Sequence, residues 1–255
     1  MTHETLLLIG PGTEGRRAVV ETHARRLRER GVVDAVRVAT YEHEPERELA
    51  DDLADLSGTV YALPTTVAHT RDTTGAIPAL LSGLDAAVTY CAPLGDAPGV
   101  TSVLRERAEA VGPLDGDTSI ALVGLGSSSL PHQRQTVEYH AERLRGRTPV
   151  QSVHACYLVQ NPAVECARYN LDGARAVAIP FFLAPCDATE QTVPEKLELG
   201  RGGLAYAEPL GEHPRLTDAI ERTVETKRAL ADSSPTFEST LTADSQALAT
   251  DGDGR

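Results

Sequence analysis

Lysine is almost missing from this 255-residue chain. Of 24 basic residues only Lys196 and Lys227 are lysines, set against 37 acidic residues and a formal net charge of −13. Such an acidic surface repels nucleic acid phosphates and anionic membranes, which argues against both as partners. Acidic excess with scarce lysine predicts adaptation to a high-salt cytoplasm, where self-repulsion is screened over about 3 Å at 1 M salt. Coding biased toward arginine gives the same pattern. No apolar run approaches the roughly 20 residues that span a bilayer. The start, Met1-Thr2-His3-Glu4-Thr5, lacks the basic segment and long apolar stretch of a secretory signal. Cys91, Cys156, Cys166 and Cys186 form no Cys-x-x-Cys pair, which argues against a zinc ribbon, a thioredoxin-type centre or a conventional iron–sulfur cluster. These absences predict a reduced, cytoplasmic protein.

What the chain does have is alternation. Leu6-Leu7-Leu8-Ile9 runs into Gly10-Pro11-Gly12, a buried strand closed by a tight turn. Arg16 to Glu29 carries Val19, Val20, Ala24 and Leu27 among charged residues, the pattern of an amphipathic helix. Strands follow over Val33 to Tyr41, Thr59 to Leu63 and Ala86 to Tyr90, with helices over Glu46 to Leu56 and Ile77 to Leu84 between them. The alternation predicts an α/β fold with parallel sheets flanked by helices.

The second half repeats the first. Ile9-Gly10-Pro11-Gly12-Thr13 matches Val123-Gly124-Leu125-Gly126-Ser127, and Ala62-Leu63-Pro64 matches Ala178-Ile179-Pro180. Pro93-Leu94-Gly95 recurs as Pro209-Leu210-Gly211, and all offsets stay between 114 and 117. This register implies a duplication. The organisation read from it is an N-terminal lobe over 1–112 and a C-terminal lobe over 118–231. Val111 to Asp117 is the linker, and the two lobes face each other across a cleft suited to a ligand. From Asp232 to Arg255 apolar periodicity vanishes among Ser, Thr, Asp and Gly, the composition of a disordered acidic tail.

Gly10-Pro11-Gly12-Thr13-Glu14-Gly15 fits the letters of a dinucleotide turn between strand and helix. Pro11 removes an N–H from that turn, however, and Glu14 adds negative charge. The second copy lacks the third glycine. The turn reads better as a free helix N-terminus that holds another anion, such as a carboxylate. Among the eight histidines, His23 and His43 read as solvent-facing and His154 as a core residue of a strand. His132 and His140 lie eight apart on one helix, too far for a two-histidine metal face. His69, in Val67-Ala68-His69-Thr70-Arg71-Asp72, stands in a loop beyond a strand end, where open α/β sheets place chemistry. With Asp72 three residues on, it could bind a divalent metal or move a proton.

The half-repeats, the glycine turns, the His-containing loop before Ile77-Pro78 and the Pro-Leu-Gly turns resemble the CbiX-type sirohydrochlorin cobaltochelatases of the chelatase superfamily. The resemblance covers roughly residues 5 to 230. It implies two similar α/β lobes around a tetrapyrrole cleft, and insertion of Co²⁺, or in relatives Fe²⁺ or Ni²⁺, into sirohydrochlorin on the way to cobalamin. The metal is then substrate, and no resident cofactor is implied. Family members carry a histidine between the glycines of the first turn, where this chain has Pro11 and, in the second copy, Leu125. A second family histidine lies six residues before the Ile-Pro proline. Asp72 holds that position in the ungapped match, His69 after a three-residue shift, and Ala188 in the second copy.

The site expected from the resemblance is His69 as metal ligand or base, with Asp72 as supporting ligand. Arg71 and the turns Gly10, Gly12, Thr13 and Gly124, Gly126, Ser127 would receive the eight carboxylates of sirohydrochlorin. The rival expectation is a non-catalytic paralogue that carries tetrapyrrole or metal. It would act alone, as a homodimer, or beside an intact chelatase.

Overall fold

The computed structural model describes residues 3–233; most of the segment read as an acidic tail lies outside the described residues. Strands β1 (Glu4–Pro11), β2 (Ala35–Tyr41), β3 (Thr59–Pro64) and β4 (Ala87–Tyr90) form one parallel sheet in the order β2-β1-β3-β4. Strands β5 (Thr118–Gly124), β6 (Ser152–Tyr157), β7 (Arg175–Pro180) and β8 (Ala205–Tyr206) form a second, in the order β6-β5-β7-β8. The central strands β1 and β5 are apolar almost throughout because helices cover both faces of each sheet. Helix α2 (Pro45–Leu53) and the short α3 (Arg71–Thr74) and α4 (Ala76–Ser82) lie in the first half. The short α7 (Val193–Lys196) follows β7 in the second.

The other helices form a shared middle layer. Helices α1 (Glu14–Arg30), α5 (Val100–Glu109), α6 (His132–Arg145) and α8 (Pro214–Ser233) pack in the spatial order α1-α8-α5-α6. One continuous core therefore joins Leu6, Leu8 and Leu63 of the first half to Leu122, Ile179 and Phe181 of the second. The last helix of each half reaches the opposite sheet. Helix α5 packs on β7, while Arg228 of α8 pairs with Glu4 at 2.6 Å. None of the described helices is long and apolar enough to cross a membrane.

The sequence alternation and the strand positions agree with the structure to within a few residues. Helix α1 ends at Gly31, whose φ of 63° suits glycine and whose N–H bonds to Arg28 O. His23 is a correction. It is only 1% exposed rather than solvent-facing, because α1 turns it toward the second half. There its Nδ1 meets Thr217 Oγ1 at 2.8 Å and its Nε2 meets Gly211 O at 3.0 Å. His140 of α6 makes the mirror contact into the first half, with Thr101 Oγ1 at 2.8 Å and Gly95 O at 2.7 Å. Gly95 and Gly211 belong to the repeated Pro-Leu-Gly turns. His154 is half-buried and bonds to Ser152 Oγ at 3.0 Å.

Burial pushes both His23 and His140 down to about 4, far below an ordinary imidazole. A histidine depressed in the folded state stabilises the fold above its unfolded pKa, near 6.5, and loses that contribution as pH falls toward 4. His69 and His213, also lowered by burial, add the same sign. The urea midpoint is expected to stay level above about pH 6.5 and to fall steadily toward pH 4. His23→Gln or His140→Gln should cost roughly 1–3 kcal/mol at pH 7.5 and flatten part of that slope. A midpoint independent of pH across this window would contradict the assignment.

Candidate active site

The C-terminal ends of the strands converge with the loops that follow them. Register places Pro11 beside Tyr41 and Ile9 beside Pro64, so the first glycine turn sits between the ends of β2 and β3. The glycines there answer to packing. A Cβ on Gly10 would lie 2.3 Å from Thr65 Oγ1, and one on Gly12 would lie 2.6 Å from Thr40 Cβ. A Cβ on Gly15, the third glycine of the dinucleotide-like pattern, would meet Pro185 O of the second half at 3.3 Å. That glycine therefore lets α1 approach the opposite loop.

The two glycine turns differ in what they leave open. In the first, Thr13 precedes α1 without capping it, and Gly12 N–H is taken by Tyr41 O at 2.8 Å. In the second, Gln160 Oε1 accepts from Ser127 N–H at 3.0 Å, and Ser127 Oγ accepts from Leu130 N–H at 3.1 Å. Gly126 is buried under Gln160, with φ of 81°. Ser127 N–H is thus engaged within the protein, which removes one donor expected for an incoming carboxylate.

His69 and Asp72 are held by different partners. Thr70 caps α3 in a reciprocal box, its N–H donating to Thr73 Oγ1 at 2.7 Å and its Oγ1 accepting from Thr73 N–H at 3.3 Å. His69 Nδ1 lies 3.2 Å from the same Thr73 Oγ1, which itself donates to Thr70 O at 3.2 Å. That network assigns the proton to Nδ1 and leaves Nε2 with its lone pair. The His69 ring lies 5.4 Å from the ring of His132, across the seam between the halves. Burial lowers the His69 pKa, Asp96 raises it and His132 lowers it further. Asp96 is fixed by Thr136 Oγ1 at 2.5 Å, and Asp96, His132, Gln135, Thr136 and Tyr139 line a cavity of about 270 Å³.

Asp72 turns instead to the end of β2, where Tyr41 Oη donates to its Oδ2 at 3.0 Å. Burial first, then Asp72, pushes the Tyr41 phenol far up, so Tyr41 stays protonated and serves as donor. Near Tyr41 lies Arg16 of α1, which in turn lies near Cys186 of the second half. Arg71 is exposed, and its side chain makes no hydrogen bond or ion pair among the described residues. No group of three or more His, Cys, Asp or Glu among the described residues could hold a metal ion by itself.

Sequence reasoning missed His132, Asp96, Tyr41 and Arg16. Spacing along one helix excluded a His132–His140 pair, and it carries no information on pairing across the seam. The duplication held the missing signal. Pro185 stands 116 positions after His69 and Gly15 stands 117 before His132, so the start of each long helix meets the loop of the other half.

Two copies of a four-stranded parallel unit, with the helix after each glycine turn meeting a loop of the other half, define a chelatase-like α/β protein. The CbiX family model matches residues 5–111 and again residues 119–227, so the chain belongs to the CbiX family. A Halobacterium salinarum protein described as a probable sirohydrochlorin cobaltochelatase is 26% identical over 223 residues, 75% of this chain and 76% of that one. SirB from Bacillus subtilis, solved with Fe³⁺, superposes with a TM-score of 0.73 at 18% identity over 90% of this chain and 97% of its own. SirB from subspecies spizizenii was solved with cobalt, with a TM-score of 0.70 at 14% identity over the same shares. DR2241 from Deinococcus radiodurans, a multi-domain protein with structural similarity to chelatases, gives 0.69 at 21% identity over 87% of this chain. The present chain spans about half of that longer protein, 54%.

The close packing at the first turn can be tested directly. Gly10→Ala should cost roughly 1–3 kcal/mol of stability through overpacking against Thr65. Adding Thr65→Ala should restore most of it in a double-mutant cycle read by urea unfolding. An undiminished single variant would show that the turn has slack.

Proposed function

We propose that this protein inserts a divalent metal, Co²⁺, into sirohydrochlorin. The observation that carries the reading is the match of both halves to the CbiX family. Cobalt is favoured by the Halobacterium salinarum relative's description, while Bacillus subtilis SirB was solved with Fe³⁺ and, in subspecies spizizenii, with cobalt. Iron therefore stays the competing metal, because first-row ions share these ligands.

Metal insertion needs a partly dehydrated ion presented to one face of the macrocycle and a base for two pyrrole protons. Asp72 suits the first task. Tyr41 occupies Oδ2 and orients the carboxylate, which leaves Oδ1 for the ion or for a pyrrole N–H. His69 suits the second, with an unprotonated Nε2 and a pKa lowered by burial. An ion that must pass on to the macrocycle is served by few protein ligands, since a closed coordination shell would retain it.

A second reading is a tetrapyrrole carrier or an accessory to an intact chelatase. It is favoured by Pro11 and Leu125, which stand where the family has histidine and offer no ligand atom in their side chains. An absorbance time course with sirohydrochlorin and Co²⁺, beside a protein-free control in high-salt buffer, separates the two. Chelatase activity predicts clear acceleration, with a loss of tenfold or more in Asp72→Ala and a smaller loss in His69→Ala. A spectral shift without acceleration would establish the carrier reading, and no response would overturn both.

A further inference from the structure

Arg16 is a cation without a counter-charge. It heads the buried stripe of α1, four residues before Val20, in a helix whose Val19, Val20, His23, Ala24 and Leu27 are all buried. Its neighbour Gly15 abuts Pro185 O of the opposite half. Among the described arginines, only the side chains of Arg16, Arg71, Arg147 and Arg222 enter no hydrogen bond, ion pair or ring contact. Of these four, only Arg16 is half-buried. A guanidinium drawn out of water costs free energy unless an anion meets it. The ionisable groups that face it are the phenol of Tyr41 and the thiol of Cys186, neither of them a carboxylate. Asp72 is close to Tyr41 but forms no ion pair with Arg16. In a chain with net charge −13, a half-buried cation whose side chain has no partner is an exception among the described residues.

We infer that Arg16 receives a carboxylate of the tetrapyrrole, an inference that rests on the sirohydrochlorin reading above. The planar guanidinium matches a carboxylate through two parallel N–H···O bonds, a geometry that fixes orientation as well as charge. It stands between the first glycine turn and the Cys186 loop, with Tyr41 and Asp72 on one side. Further along the same helix and loop, a cavity of about 730 Å³ opens at Val19, Pro185 and Thr189. The rim of that cavity carries Glu190, Glu208 and Glu212, and its one arginine, Arg107, is already paired with Glu208 at 2.7 Å. Pigment carboxylates are repelled from that rim and drawn to Arg16, which sets which edge of the ring lies nearest Asp72. In the second half the equivalent of Arg16, 117 positions on, is the uncharged Gln133. Only one of the two related positions therefore carries the receptor. Arg71, exposed on a four-residue helix, lacks this environment.

The test is a titration of metal-free sirohydrochlorin into wild type, Arg16→Gln, Arg16→Lys and the exposed control Arg147→Gln, each also unfolded thermally without ligand. Arg16→Gln should raise Kd about 10- to 100-fold, and Arg16→Lys should recover part of the loss. Arg147→Gln should bind as wild type. With the fully methyl-esterified pigment the difference between wild type and Arg16→Gln should vanish. Ligand-free Arg16→Gln should melt at or above the wild-type temperature, because an uncompensated charge has been removed. Unchanged binding in Arg16→Gln overturns the inference while the tetrapyrrole reading stands. A lower melting temperature shows that the guanidinium already has a structural partner and overturns the inference as well. Absence of binding by wild type removes the tetrapyrrole reading and this inference with it.

Discussion

Two buried imidazoles hold the molecule together. His23 leaves the first half to bond Gly211 O and Thr217, and His140 leaves the second to bond Gly95 O and Thr101. Each satisfies both ring nitrogens on groups from the opposite half, so each Pro-Leu-Gly turn is tied to the other half's long helix. The shared core between the sheets has the same consequence. Cleft walls drawn from two sheets must keep their relative position to within a fraction of an ångström if they are to orient a ligand. The reciprocal clamp and the middle helix layer supply that constraint.

On this symmetric scaffold the chemistry is lopsided. Some contacts persist in both halves. Tyr90 donates to Thr73 O and Tyr206 to Thr189 O, at 2.8 and 2.9 Å. Thr73 and Thr189 accept equivalent backbone bonds from Thr70 and Cys186. At the strand ends, however, the position of Asp72 corresponds to Ala188 in the second half, that of His69 to Pro185, and that of Arg16 to Gln133. The first half keeps the groups that can hold a cation, a proton or a carboxylate. The second supplies His132 against His69 and the Cys186 loop against Arg16. Duplication thus conserved packing while side chains capable of binding diverged.

Strands were legible because parallel strands buried on both faces read as apolar runs, as in Leu6-Leu7-Leu8-Ile9, and the repeat register was legible because both halves need the same turns. The inward turn of His23 was missed although Val19, Val20 and Leu27 put it on the apolar stripe of α1, because the polar partners that satisfy a buried imidazole lie about 190 residues away. The pairing of His69 with His132 escaped for the same reason. The proximity of His69 and Asp72 in sequence suggested one shared site. The capping box at Thr70 instead anchors His69 to Thr73 while Asp72 turns to Tyr41. Family resemblance supplied two alternative positions for the second ligand. Asp72 bonds Tyr41 beside the first turn and His69 bonds Thr73, so the two positions have different partners.

The most direct measurement is the position of cobalt in a crystal of the protein soaked with Co²⁺ and sirohydrochlorin, read from its anomalous scattering. The account predicts a peak beside the free oxygen of Asp72, at the end of β2 and next to the first glycine turn. A peak between His69 and His132, or beside Ala188 in the second half, would contradict it.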